Sequence, residues 1–432
     1  MTDLVVIGGG WAGAAYAAEF KKKFTNIEVV ILEKCSQPGG LLRSETIRGH
    51  VFDIGGSHII FSRNNNILVK ILSYLNGEFI QHNRVAEILI NSTYVPYPLE
   101  NGLYVLPPEE RYEALVNFIE AMLSRDPAWH PKTFKDWIKD LFGKWIAEKY
   151  LIPYNEKIWK RPLEEIDVDW VYTPGRLPVP DWRDVVKSAV GIPTVGYKEQ
   201  SIFYYPTRGG IQTLFNKVID TAKNLGVQVV TGFRVTELKR EGEMWVINGR
   251  IRAKRIINTM PLRELTKIVD APEEIVKASE RLDYNRVLIV GIALKKNAQK
   301  KHWVYVPQRD VIFHRYAWIS NYSPENSPRG ESTIIAEITI PPNHEIKLDE
   351  LINRTLADFE KIDVFKQNEV LFTKAWLHEY GYPIYTIGHR EIRRLLMEWL
   401  SDKNITTLGR WGSWQYWNID RIYEQISQMI YI

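Results

Sequence analysis

The sequence predicts an α/β fold: one doubly wound, parallel-sheet domain, an inserted region that is mostly helical, and a further region that contains sheet. Three observations lead there. At 432 residues the chain exceeds a typical single domain of roughly 100–200 residues. Its start runs strand, glycine turn, helix and strand as far as Glu33. From about residue 65 the spacing of apolar residues becomes that of helix faces. Composition agrees, since 45% hydrophobic and 25% charged residues exclude a disordered chain. The most hydrophobic run, Val287 to Leu294, is far shorter than the ~20 residues of a membrane-spanning helix, so no integral membrane segment is expected. Thr2 and Asp3 lead straight into an apolar strand with no basic leader, and a cytoplasmic protein is expected.

Leu4-Val5-Val6-Ile7 is the first strand, and Gly8-Gly9-Gly10-Trp11-Ala12-Gly13 the turn after it. Ala14 to Phe20 is rich in helix formers, and Val29 to Leu32 is a second strand that ends in Glu33. A GxGxxG string means little alone. Here it follows a strand, opens a helix and has an acid 20 residues after its last glycine, which is the context of dinucleotide binding. Gly8 permits the tight turn, Gly10 lets backbone approach a pyrophosphate, Gly13 lets helix pack on strand, and Glu33 would accept from the adenosine ribose hydroxyls. Two further glycine pairs follow, in Gly39-Gly40-Leu41 and Gly55-Gly56-Ser57-His58. Glycines let backbone come against a flat ring or a phosphate that side chains would block. At these residues the chain resembles the flavoprotein superfamily of amine oxidases, protoporphyrinogen oxidase and UDP-galactopyranose mutase. That resemblance implies FAD, not NAD, as the resident cofactor.

The middle of the chain carries helical patterns such as Tyr112, Ala114, Leu115, Phe118, Ile119, Met122 and Leu123. Thr133 is a candidate N-cap with Asp136 three residues on. After Phe203 to Pro206, Gly209-Gly210 opens a helical pattern that runs to about Leu225. Val227 to Val230 and Phe233 to Val235 read as short strands, with Val235 a candidate backbone contact to adenine. Ile256 to Pro261 returns the chain to the cofactor. These readings give a discontinuous FAD-binding domain of residues 1–64, 207–275 and 400–432. Residues 65–200 form the mostly helical substrate region, and 276–399 the sheet-containing one.

A finer resemblance, to the eukaryotic-type UDP-galactopyranose mutases, runs through nearly the whole chain. It is carried by Tyr94 to Asn101, Leu106-Pro107, Pro153 to Trp159, Trp303-Val304-Tyr305, and Arg315 seven residues before Tyr322. Further on come His378 before Gly381-Tyr382-Pro383, and Gly409-Arg410-Trp411-Gly412-Ser413-Trp414 followed by Tyr416. The resemblance implies a small nucleotide-sugar substrate held by Tyr97, Glu100, Asn155, Trp159, Gln200, Phe203, Trp303, Tyr305, Tyr322, Tyr382 and Tyr416. Arg315 and, at a less regular spacing, Arg176 would bind its diphosphate. The chemistry agrees, because a diphosphate is met by planar guanidinium forks and phenol donors. Gly409, Arg410, Asn418 and Ile419 would surround the flavin, with a helix starting there and aiming its positive end at the ring. Either Ser57 or His58 faces the flavin; the imidazole is favoured as a proton and charge partner.

The implied activity is a pyranose–furanose interconversion, of UDP-galactopyranose or a close analogue, through a sugar adduct on N5 of reduced flavin. NAD(P)H is a candidate external reductant. The alternative is an FAD-dependent oxidase or desaturase of the amine oxidase or protoporphyrinogen oxidase type. Departures from the mutases concentrate at the base end, where Leu99 and Glu100 replace an aromatic and a glutamine. Glu100 is either solvated or selects a base that presents donors, as guanine does. Gln200 stands where an asparagine is expected. There is no GxSxG or zinc motif. The single cysteine, Cys35, excludes an intramolecular disulfide or a multi-cysteine metal site, and no metal is expected. A net charge of +4 makes no case for nucleic acid. Oligomeric state is not set by these patterns.

Overall fold

A computed structural model describes residues 2–126, 128–172, 179–194, 196 and 201–431. Strand β1 (Thr2–Ile7), helix α1 (Trp11–Lys23) and strand β2 (Val29–Leu32) make the expected start. A hairpin of β3 (Ser44–Ile47) and β4 (His50–Asp53) follows, then β5 (Phe79–Asn83), β6 (Ala86–Ile90) and β7 (Thr93–Pro96). Helices over Pro108–Ser124 and Phe134–Ile146 and the shorter α2 (Ile152–Trp159) come next, with Thr133 capping the second of them through Asp136 N at 3.2 Å. The chain then runs through β8 (Ile202–Pro206), α3 (Gln212–Asn224) and β9 (Gln228–Val230). A meander of β10 (Leu238–Glu241), β11 (Met244–Ile247) and β12 (Ile251–Asn258) leads to β13 (Asp283–Leu294), β14 (Trp303–Tyr305), β15 (Arg315–Trp318), β16 (Ser332–Ile340) and β17 (Val370–Ile384). Strand β18 (Ile405–Thr407) and helix α4 (Ile419–Tyr431) end it.

Two seven-stranded sheets organise these elements. The first has the order β10-β11-β12-β1-β2-β9, with β18 also beside β12, and β1 lies parallel to both β2 and β12. Both of its faces are covered: Leu4 and Val6 pack toward α1, and Val5 and Ile7 into the opposite layer with Leu262 and Leu265. A strand buried on both faces reads as a continuous apolar run, not an alternating one. The second sheet has the order β17-β13-β16-β15-β14-β6-β7. Its β13 is the Val287 to Leu294 run, again with residues alternating between two cores.

One expectation changes. Phe233 to Val235 forms no strand, because Phe233 N donates to Glu33 O at 2.8 Å and Gly232 N to Cys35 O, so the backbone there follows the end of β2. The mostly helical 65–200 stretch also contributes strands to the second sheet. Its β6 pairs in parallel with β14, Ala86 opposite Trp303, so this stretch shares one sheet with 276–399. Among the described residues no helix is long and apolar enough to cross a membrane.

Gly13 shows how closely α1 sits on β1: a Cβ there would lie 2.0 Å from the Gly8 carbonyl oxygen and 3.2 Å from Val6 Cγ1. Neither backbone can retreat without parting helix from strand. Gly13→Ala is therefore expected to cost about 1–3 kcal/mol of stability, read as a lowered denaturant midpoint at unchanged slope. An unshifted midpoint would show that this contact does not set the helix position.

Candidate active site

The N-terminal turn is built to receive an anion. Gly10 opens α1 with no side-chain cap and no acid in the first turn, so the leading amides are left to a ligand. A Cβ built on Gly10 meets nothing nearer than Gly40 Cα at 3.9 Å, so the room beside the helix end is real. Gly39 N donates to Gly9 O at 2.9 Å, which draws the second glycine pair across this opening. Glu33 stands at the end of β2, and its carboxylate accepts from Gly9 N at 2.7 Å and Cys35 N at 2.9 Å. At the far end Trp11 Nε1 donates to Ile419 O at 3.0 Å, fixing the start of α4 against the start of α1. An acid, a glycine cradle and two converging helix ends fit FAD, which Gly10 and Gly40 would hold at its pyrophosphate and Asn418 and Ile419 at its ring.

Beyond this turn lies an open cleft. One wall is the loop Gly55-Gly56-Ser57-His58, tied down by His378 of β17, whose Nε2 donates to Ile54 O at 2.6 Å. The other is aromatic. Tyr382 stacks on Tyr416 at 5.5 Å, Trp159 and Trp170 meet them edge-on, and Tyr97, Tyr154 and Tyr305 continue the surface. Helix α2 is held on β13 by Asn285, which donates to the carbonyls of Ile158 and Trp159. Within α2, Asn155 donates to Leu151 O and accepts from Trp159 Nε1, so most of its amide is already engaged.

The electrostatic centre is a residue that sequence reading missed. Glu337, on β16, is 1% exposed and lies between the two walls. Arg315 chelates it, with Nε to Oε1 at 3.1 Å and Nη2 to Oε1 and Oε2 at 2.8 and 2.7 Å. Ser57 donates to it through both its amide and its hydroxyl, and Tyr382 through its phenol at 2.9 Å. Burial alone would raise the Glu337 carboxyl; the Arg315 guanidinium overrides burial and holds it down at about 2. The pairing also commits one edge of the Arg315 fork, leaving Nη1 without a partner among the described residues. His58 Nε2 is buried and unpartnered, and burial, with Arg410 nearby, pushes the ring down to about 3, so it is neutral near pH 7. Between Ser57 and His58, then, the hydroxyl is bound to Glu337, and the imidazole is held by the Gly55 backbone with Nε2 left open.

Of the residues expected at the site, Leu41, Gly55, Gly56, Ser57, His58, Arg410, Asn418 and Ile419 line the cleft on the cofactor side. Tyr97, Asn155, Trp159, Trp303, Tyr305, Arg315, Tyr382 and Tyr416 line the rest. Tyr322 and Phe203 do not: both are fully buried, edge to face at 5.5 Å, with Phe203 packed behind Trp303. Glu100 is buried in the turn below Tyr97, so it is not solvated and does not reach the cleft. Val235 packs its side chain into the core behind the first sheet. Gly409 lies against Ala12, where a Cβ would come within 2.5 Å. Arg176 and Gln200 lie outside the described residues. No group of three or more His, Cys, Asp or Glu among the described residues could hold a metal.

The sequence model for an NAD(P)-binding Rossmann-like domain matches residues 6–75, and that for flavin containing amine oxidoreductases matches residues 183–419. Among solved structures, a crystal structure of reduced UDP-galactopyranose mutase superposes with a TM-score of 0.90 at 21% identity, covering 100% of this chain and 93% of that one. A putative protoporphyrinogen oxidase from Exiguobacterium sp. 255-15 gives 0.74 at 16% identity over 99% and 98% of the two chains. A conjugated-linoleic-acid-producing (CLA-producing) fatty acid isomerase from P. acnes gives 0.66 at 14% over 99% and 98%. At such identities the likeness is one of fold. An uncharacterized protein in the nifH2 3' region of Methanothermococcus thermolithotrophicus is 40% identical over 70 residues, which are 16% of this chain and 65% of that protein.

Two expectations follow from the geometry. Gly10 has a φ of −81°, open to any residue, so Gly10→Val should keep the native thermal transition while its side chain fills the pyrophosphate space. The purified variant should carry no flavin; a full flavin load would refute the dinucleotide assignment of this turn. Glu337→Gln should cost about 3–5 kcal/mol, because it strands a buried guanidinium. In the wild type this carboxylate titrates near 2 when folded against 4.5 ordinarily, so its stabilisation is complete above pH 4.5 and is lost as pH falls toward 2. His58, near 3 against 6.5, adds a loss that starts below pH 6.5. Acid melting curves of the Gln variant should be flatter than wild type below pH 4.5, and equal slopes would exclude Glu337 as the cause.

Proposed function

The chain belongs to the flavin containing amine oxidoreductase family, and from that premise we propose that it is a redox-neutral sugar-nucleotide mutase. It would interconvert pyranose and furanose forms of UDP-galactose or a close analogue on reduced FAD. One observation carries the reading. The cleft beside the glycine loop is walled by phenols and guanidiniums, and Glu337, the sole acid among its described lining residues, is already neutralised by Arg315. An amine substrate's ammonium would find no free carboxylate there, and an apolar substrate would gain nothing from the guanidiniums of Arg84, Arg315 and Arg410 that line the cleft. A sugar diphosphate matches both the cations and the hydroxyl donors.

FAD, which the glycine turn at Gly8 to Gly13 would hold, would in its reduced form supply a nucleophile for the anomeric carbon. The chain's own groups do the rest. Nη1 of Arg315 and the hydroxyls of Tyr305 and Tyr416 hold the diphosphate oxygens, Tyr382 keeps its phenol proton on Glu337, and Trp159, Trp170 and Trp303 exclude water. Neutral His58 offers Nε2 to the flavin side, and the first turn of α4 brings positive helix-end potential to an anionic ring. No side chain is required as a strong general base.

The test is incubation of the dithionite-reduced protein with UDP-galactose and related nucleotide sugars. A ring-contracted isomer should form, reduced flavin should be required, and no reductant should be consumed stoichiometrically. Consumption of one hydride per product would assign the chain to the oxidases instead.

A further inference from the structure

Lys157 has no part in the reading above, yet it is a buried charge, 7% exposed, on the helix that carries Tyr154, Asn155 and Trp159 into the cleft. Its Nζ donates to three backbone carbonyls, those of Val306 and Phe313 at 2.7 Å and that of Gln308 at 2.9 Å. All three belong to the loop 306–314, which joins β14 to β15. The strand residues on either side of that loop are Tyr305 and Arg315, opposite each other in register and both in the cleft. The Lys157 carbonyl in turn accepts from Thr339 Oγ1 at 2.7 Å, on the strand that bears Glu337.

The donor count explains the lysine. An ammonium has three N–H groups and no lone pair, so three converging carbonyls engage it fully, whereas a neutral amine would turn its lone pair on one of them. Burial, and Lys160 after it, pull the group down to about 7 against Asp358 and Asp310, so the ammonium is whole below that pH. A second tie between the same helix and loop, Arg309 to Glu156, is solvent-exposed and adds little. The far side of the loop is pinned elsewhere, Ile312 N to Asp358 Oδ2 at 2.6 Å and His314 N to Glu337 O at 3.1 Å. Glu337 takes Nε and Nη2 of Arg315, but where β15 begins, and so where Nη1 points, depends on the loop that Lys157 holds.

We propose that Lys157 is a positioning residue for substrate binding: by clamping the 306–314 loop to α2 it fixes the separation at which the Arg315 guanidinium and the aromatic wall meet one nucleotide sugar. This rests on the mutase reading, which supplies the ligand. Charge-assisted, buried hydrogen bonds hold direction as well as distance, and a guanidinium fork needs both.

The experiment is a double-mutant cycle on the flavin-loaded protein, titrated with UDP-galactose and with UDP by flavin absorbance, at a pH below that at which Lys157 loses its proton. Lys157→Met keeps much of the side chain's length and removes the charge. It should hold a full flavin load, because Lys157 is no part of the glycine cradle, and it should bind UDP-galactose ~tenfold more weakly. Arg315→Lys should cost about tenfold in wild type but less than about threefold in the Lys157→Met background, since a fork already misplaced has less to lose. A lysine that only supports the fold gives independent losses, with Arg315→Lys equally costly in both backgrounds. That result, unchanged affinity in Lys157→Met, or no loss on Arg315→Lys in wild type overturns the proposal and leaves the mutase reading standing. If the Met variant fails to hold flavin, the cycle is run with Thr339→Val, which frees the Lys157 carbonyl and keeps the ammonium. The loss should be smaller there and again non-additive with Arg315→Lys; additive losses overturn the proposal. A wild type that binds neither ligand overturns the mutase reading, and this inference with it.

Discussion

A buried carboxylate sets the geometry of the cleft. Removing a charge from water costs several kcal/mol unless it is paired and hydrogen-bonded on every side. Glu337 meets that condition only by drawing together Arg315 from β15, Ser57 from the flavin loop and Tyr382 from β17. Those three arrive from separate parts of the chain, so the carboxylate fixes the distance between the loop and the aromatic wall. Gly56, in the loop beside it, is set by its own backbone, since its φ of +107° is one that a side chain rarely adopts. His378, holding Ile54 O from β17, is a second tie between the same two bodies.

The pairing also decides the field inside the cleft. Arg315 and Glu337 cancel at close range, and both His58 and His314 are neutral near pH 7. Arg84 and Arg410 also line the cleft, placed over the rings of Tyr97, Trp303 and Tyr416.

Local patterns made much of this legible in the sequence. The glycine turn and Glu33 at the end of β2 follow from spacing and composition, and the structure has each where the pattern puts it. Phe233 to Val235 failed because a short apolar triplet does not say which backbone will accept its hydrogen bonds. Tyr322 and Phe203 failed because a tyrosine or phenylalanine serves equally as wall or as the layer behind it, and only packing decides. Glu337 did leave a signal: one acid in the otherwise uncharged run Ser332 to Ile340. An acid in a fully buried strand must have a cation, and Arg315 is that cation in the neighbouring strand, directly opposite in register.

The two ends of the cleft are built for different kinds of selection. Asn155 has one amide hydrogen remaining after its bonds to Leu151 O and Trp159, and Glu100 is buried below the wall. Among the described residues, what faces outward near Tyr97 is aromatic surface with Arg84 over it. Flat rings and a guanidinium stack on any base, because every base has a π-face, so such a surface supplies affinity with little discrimination. Near the flavin loop the reverse holds. Tyr382 and Arg315 are pinned by buried hydrogen bonds, and a ligand group there meets polar atoms whose directions cannot adjust. Fixed polar atoms penalise a mismatch fully, whereas a stacking face does not. Under the mutase reading, selection among sugars therefore belongs to the inner end.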